Sequence, residues 1–71
     1  MQINFFLNGI HYKIITTLDI ITLSNLLSYF TYDKKIFIIE YNFKICHQDL
    51  WTKQEIKNND KIEIISIVGG G

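Results

Sequence analysis

Close to its start the chain alternates Ile3, Phe5 and Leu7 with Gln2, Asn4 and Asn8, and then reads Asn8-Gly9. A period of two places the apolar side chains on one face of an extended strand. Asn-Gly is the strongest short hairpin signal, because a type I′ turn needs positive φ at both central positions and these residues tolerate it. A second strand over roughly residues 10–15 is therefore expected antiparallel to the first. The rest of the chain has to cover the apolar face of that hairpin.

The cover is legible. Leu23, Leu26, Leu27 and Phe30 fall at i, i+3, i+4 and i+7, one face of a helix. Thr22 is the expected N-cap, with Asp19 one turn earlier as the alternative. Ser24, Asn25 and Ser28 face outward and are indifferent helix formers, so packing must hold this helix. Thr31 to Lys35 reads as a loop. Ile36-Phe37-Ile38-Ile39 reads as a central strand covered on both faces. Asn42 predicts a turn, Lys44-Ile45-Cys46 a short edge strand, and His47 to Trp51 a helical turn. Asn58-Asn59-Asp60 is a second turn signal before a last strand over Lys61 to Val68. This order suits an α+β domain with one helix across a mixed sheet. By analogy of fold it is a ubiquitin-like β-grasp, with the first and last strands side by side in the middle. We expect a domain over residues 1–68 and a flexible glycine tail over 69–71. The expected core is Ile3, Phe5, Leu23, Leu26, Leu27, Ile38, Ile62 and Ile64.

Composition matters for what it excludes. With 71 residues the chain is near the lower limit for folding without metals or disulfides, and a hydrophobic fraction of 48% offsets that. Cys46 is the only cysteine, which excludes an internal disulfide and a cysteine-based metal framework and fits a reducing compartment. Seven Lys balance seven acidic residues, without the basic excess or stripe of a nucleic-acid binder. No signal peptide and no apolar run long enough to span a bilayer is seen, so a soluble intracellular protein is expected. Ile, Asn, Lys, Tyr and Phe abound while Ala, Arg and Pro are missing. That bias suits a genome of low GC content, such as a bacterium's or an organelle's.

The most informative residues are the last ones, Gly69-Gly70-Gly71. Three glycines are costly in an ordered segment, since Gly gives up the most conformational freedom. The plain alternative is an inert frayed end. Against it, the glycines follow a strand directly, and a tail without side chains can thread a narrow channel and present its carboxylate in a partner enzyme. In the last strand Ile62 and Ile64 oppose Lys61 and Glu63, but Ile65 and Ile67 then appear on the face that began polar. Together with Val68 they would form an apolar docking patch beside the tail; a strand end covered on both sides is the alternative.

The run Ile36 to Asn42, then Trp51, Asn59-Asp60 and Ile62-Glu63-Ile64 leading to Val68-Gly69-Gly70-Gly71 resembles the ThiS family of sulfur carriers. The opening Met1-Gln2-Ile3 and Leu7-Asn8-Gly9 are similar to it as well, and the likeness covers nearly the whole chain. Between Ile15 and Lys35 only the helical pattern matches, and Asn59-Asp60 stands where the family usually has Gly-Asp. The resemblance implies a carrier of sulfur for the thiazole of thiamine, itself not an enzyme and without a bound cofactor or metal. It implies that a ThiF-like adenylating enzyme uses ATP and Mg to activate the Gly71 carboxylate, with Gly69 and Gly70 presenting it. A persulfide donor then supplies sulfur, and the resulting thiocarboxylate serves a ThiG-like thiazole synthase. Two rival readings are a carrier like the small subunit of molybdopterin synthase and a β-grasp interaction module with an inert tail.

Other residues carry less. Cys46 reads as a small buried hydrophobe rather than a persulfide carrier. His11 and His47 lack companion ligands for zinc. Trp51 reads as packing, and Asp60 as the holder of the turn before the last strand.

Overall fold

The computed structural model describes residues 1–30 and 37–66. The predicted loop from Thr31 to Lys35, the start of the central strand at Ile36, and Ile67, Val68, Gly69, Gly70 and Gly71 lie outside the described residues.

Strands β1 (Gln2–Leu7) and β2 (Ile10–Ile15) pair antiparallel with Leu7 opposite Ile10. The two-residue turn between them has φ of 50° at Asn8 and 79° at Gly9, the positive values that the Asn-Gly pair predicts. Helix α1 (Leu23–Tyr29) starts at Thr22, whose hydroxyl accepts the Asn25 N–H at 3.2 Å. The Asn25 side chain in turn accepts the Thr22 N–H at 3.0 Å, so the two residues cap the helix reciprocally. Asp19 plays no part in that cap. Strands β3 (Phe37–Tyr41) and β4 (Lys44–Cys46) flank a second two-residue turn, Asn42-Phe43, with φ of 51° and 71°. A short 3-10 turn follows over Gln48–Leu50, and β5 (Asp60–Ser66) closes the fold.

The strand order is β2-β1-β5-β3-β4. β5 lies in the middle, parallel to β1 and antiparallel to β3, so the first and last strands are neighbours as expected. The helix covers one face of this mixed sheet. Phe5, Leu23, Leu26, Ile39 and Ile62 are the largest fully buried side chains, and Ile3, Leu7 and Leu27 join them. Cys46 is buried in the same cluster, and Trp51 packs on it while its Nε1 donates to the Cys46 carbonyl at 2.8 Å.

Two expected core positions need correction. Ile38 is half-buried on the opposite face, and its neighbour Ile39 is the core residue. The register explains this: Ile39 lies opposite Ile64, whereas Ile38 lies opposite Ile65. A run of four apolar residues hides which parity points inward, and only pairing with β5 resolves it. Ile64 lies on the core side but is only partly buried.

Candidate functional site

Among the described residues α1 covers one sheet face and leaves the other open, with β5 crossing its middle. Along β5 the open face carries Lys61, Glu63 and Ile65, in alternation with the core residues Ile62 and Ile64. Ile65 is 46% exposed. Its partner Ile38 lies on the same face, and Glu40 lies opposite Glu63, two carboxylates side by side on exposed sheet. On the β1 side Phe6 lies opposite Lys61 and its ring is 5.3 Å from that of His11. Phe43 projects from the β3–β4 turn, 77% exposed, with the Lys61 ammonium 5.4 Å from its ring centroid. That distance is within reach of a cation–π contact. A shallow depression forms between Phe6, Phe43, Lys61 and Glu63. Exposed Ile45 on the edge strand extends the apolar surface.

Among the predicted partner-binding residues, Ile65 lies exposed on this open face, while Ile67 and Val68 fall outside the described residues, as do Gly69, Gly70 and Gly71. Phe6, Phe43 and Ile45 escaped the sequence reading. Their signals were present: Phe6 breaks the strict alternation beside Phe5, and Ile45 sits between Lys44 and Cys46 at outward parity. Phe43 directly follows the turn asparagine.

The route of β5 is fixed at both ends by turn asparagines. At its start Asn42 N donates to the Lys61 carbonyl at 2.7 Å and Asn42 Oδ1 accepts the Lys61 N–H at 2.8 Å. Asn42 Nδ2 also donates to Asp60 Oδ1 at 3.0 Å. Asp60 is buried, and its Oδ2 accepts the Lys57 N–H at 2.7 Å and the Tyr41 hydroxyl. This is the turn-holding role expected of it, with Tyr41 as an added donor. Burial pushes the Tyr41 phenol well above its ordinary range, and the hydrogen bond to the Asp60 carboxylate and its charge add to the shift. Toward the strand's end Asn8 N donates to the Ile62 carbonyl at 2.9 Å, and Asn8 Oδ1 accepts the Ile64 N–H at 2.8 Å.

Little else in the described residues suggests chemistry of its own. Burial raises the Cys46 thiol, and the Asp49 charge raises it further, which keeps the weakly nucleophilic protonated form. No group of three or more His, Cys, Asp or Glu among the described residues could hold a metal ion. Among them, too, no helix is long and apolar enough to cross a membrane.

A family model described as the ThiS family matches residues 5–71. The chain belongs to the ThiS family. That family comprises small ubiquitin-like sulfur carriers of thiamine biosynthesis, and the sequence resemblance pointed to it. An uncharacterized protein, ycf40, of Trieres chinensis is 48% identical over 67 residues, which cover 94% of this chain and 88% of the relative. The crystal structure of a thiamine biosynthesis protein (ThiS) from Geobacter metallireducens superposes with a TM-score of 0.80 over 97% of this chain and 100% of that one. Its sequence identity is 20%, so it speaks for the ubiquitin-like β-grasp fold.

Proposed function

We propose that the reactive atom of this ThiS-family carrier is the carboxyl carbon of Gly71, activated and loaded with sulfur by partner proteins. A carboxylate is a poor electrophile because it is charged and lacks a leaving group. A ThiF-like enzyme with ATP and Mg supplies both remedies: carboxylate oxygen attacks the α-phosphorus, pyrophosphate leaves, and an acyl-adenylate remains. The terminal sulfur of a persulfide then attacks the acyl carbon and expels AMP. A thiol breaks the resulting S–S bond, leaving the thiocarboxylate on Gly71 and a disulfide on the donor side. That soft nucleophile, held covalently, delivers sulfur to a ThiG-like thiazole synthase. The carrier is then a protein co-substrate and contributes no catalytic side chain.

The observation that carries this reading is the family match running through residue 71 to a triple-glycine end. The open sheet face supports it, because Ile65 is exposed near the end of β5, the strand that precedes the glycines in sequence. The free thiol of Cys46 and the low-GC residue bias support a reducing compartment, a bacterial cytoplasm or a plastid stroma.

The test is the intact mass after incubation with adenylating enzyme, ATP and a persulfide donor. Wild type is expected to gain about 16 Da, one oxygen replaced by sulfur. Deleting Gly71 withdraws the carboxylate by roughly 3.3 Å. Attack geometry tolerates far less, about 1 Å of misplacement costing on the order of 100-fold. The truncated chain is therefore expected to gain no sulfur and to keep the wild-type urea midpoint. Gly70→Val, and an Ala added after Gly71, should fail likewise. Sulfur gain by the truncated chain at the wild-type rate would place the reactive atom elsewhere. Ile65→Asp is expected to fold normally and to bind the adenylating enzyme more weakly, through loss of apolar contact.

A further inference from the structure

Strand β1 leaves the sheet earlier than its neighbour β5. Their last paired residues are Leu7 and Ile62, after which β1 turns into the hairpin while β5 continues to Ser66. In an unbroken parallel ladder the next β1 residue would donate its N–H to the carbonyl of residue 62. It would also accept the N–H of residue 64 on its own main-chain carbonyl. Asn8 makes the first of these bonds in the ordinary way, N to the Ile62 carbonyl at 2.9 Å. It makes the second with its side chain: Oδ1, not the main-chain oxygen, accepts the Ile64 N–H at 2.8 Å. At Asn8, with the positive φ of 50° that the turn demands, the chain departs from the ladder, and the amide oxygen stands in for the main-chain carbonyl. The ladder thus extends one step past the point where β1 departs. On the other flank β3 follows β5 as far as the pair of Phe37 with Ser66. Ile64 is therefore gripped from both sides shortly before the chain's end.

We propose that Asn8 is a positioning residue for the terminal carboxylate: its side-chain amide carries the hold of β1 one step further, to Ile64, so that β5 is guided from the β1 side as well as by β3. This rests on the carrier reading given above and deepens it. The choice of residue agrees. A type I′ turn alone is satisfied by Gly, Asn or Asp at its first central position, but Gly has no acceptor for the Ile64 N–H. Asn8 is itself exposed and its bond lies at the sheet margin, so losing it leaves the apolar cluster under the helix intact. What changes is the hold on Ile64, from which the chain runs on to Gly71, whose placement attack geometry requires.

The experiment compares wild type, Asn8→Gly and Asn8→Asp as full-length chains, by amide hydrogen exchange and by sulfur loading with adenylating enzyme, ATP and persulfide donor. Asn8→Gly keeps the positive φ and removes the acceptor. Its Ile64 amide is expected to exchange about ten-fold faster, while the Ile56 amide, bonded to the Ile21 carbonyl, keeps its wild-type rate. Its sulfur loading is expected to slow by about ten-fold in kcat/KM, with little change in affinity for the adenylating enzyme. Asn8→Asp keeps an acceptor and should recover both. Wild-type exchange at Ile64 in Asn8→Gly, loading at the wild-type rate, or failure of folded Asn8→Asp to recover would each overturn the proposal. A wild type that gains no sulfur would overturn the carrier reading itself, a different result from equal loading by wild type and variant.

Discussion

At the start of β5 the Lys61 N–H bonds to Asn42 Oδ1 at 2.8 Å; toward its end the Ile64 N–H bonds to Asn8 Oδ1 at the same distance. Both asparagines sit first in a two-residue turn with φ close to 50°, and in both the side-chain oxygen takes the place that a main-chain carbonyl would fill in a continuing ladder. The two ends differ in what stands behind the asparagine. Asn42 is joined through Nδ2 to buried Asp60, which also holds Lys57 and Tyr41. Among the described residues Asp60 is the buried charged side chain, so Asn8 has no counterpart of it. One device thus serves as an anchor at one end and as a guide at the other. The anchored end carries stability; the guided end can be altered with little loss of stability, which agrees with the carrier role proposed above.

Asp60→Ala is the largest way to break this contrast. It leaves the Lys57 N–H, the Asn42 amide and the Tyr41 hydroxyl without their carboxylate, although Tyr41 has the Glu55 carbonyl 2.9 Å away as a second acceptor. Hydrogen bonds to a charged, buried partner are worth about 1.5–3 kcal/mol each, and they are not additive. We expect a loss of about 3 kcal/mol in urea unfolding, a large share of what so small a domain holds. A change within about 0.5 kcal/mol would mean that the anchor is decorative.

Asn42→Gly comes next. The positive φ is retained while Oδ1 and Nδ2 are lost, and a cost of about 1–2 kcal/mol follows. Asn8→Gly, which loses one bond at the margin, should cost under about 1 kcal/mol. The order of these two decides whether the ends are unequal. In a double-mutant cycle Asn42 should couple to Asp60, whereas Asn8, with no shared partner, should add independently. Coupling of Asn8 to Asp60 would mean that the strand behaves as a single unit and that the guide and the anchor cannot be told apart.

Much of this was readable beforehand, for physical reasons that also explain the gaps. Both turns were marked by residues that tolerate positive φ, Asn8-Gly9 and Asn42, and the helix by Leu23, Leu26 and Leu27 at one-face spacing. What these asparagines do with their amides was not readable, because the bonds run to Lys61 and Ile64, far along the chain. Parity failed at Ile38 for a similar reason, since a run without polar residues acquires a facing only from its partner strand. On the open face, Ile65 was legible from the break in alternation along β5. Phe6 and Phe43 were not, because the sheet brings them to Lys61 from separate elements.

The smallest expected effect is confined to alkaline pH and separates the two ends by chemistry. Tyr41 belongs to the anchored end, and burial, followed by its hydrogen bond to the Asp60 carboxylate, raises its phenol above the ordinary value of 10.0. A group whose folded-state pKa lies above its unfolded value binds its proton more tightly when folded. Its contribution is therefore fully present below pH of about 10 and is lost as pH rises beyond it. Stability of the wild type should then fall more steeply above about pH 10 than that of Tyr41→Phe, which has no phenol to ionise. Comparing each protein with its own value near neutrality removes the constant cost of the lost hydroxyl bond, about 1 kcal/mol. Any pH effect common to the two proteins cancels in the difference. Asn8→Gly should keep the wild-type alkaline slope, since its change lies at the other end of β5. The measurement is urea midpoint against pH for the three proteins. Parallel curves for wild type and Tyr41→Phe would remove the phenol–carboxylate pair from the anchor and leave Asn42 and the Lys57 N–H as its only supports. An Asn8→Gly curve that flattens as well would show that the guided end communicates with Asp60 through the strand.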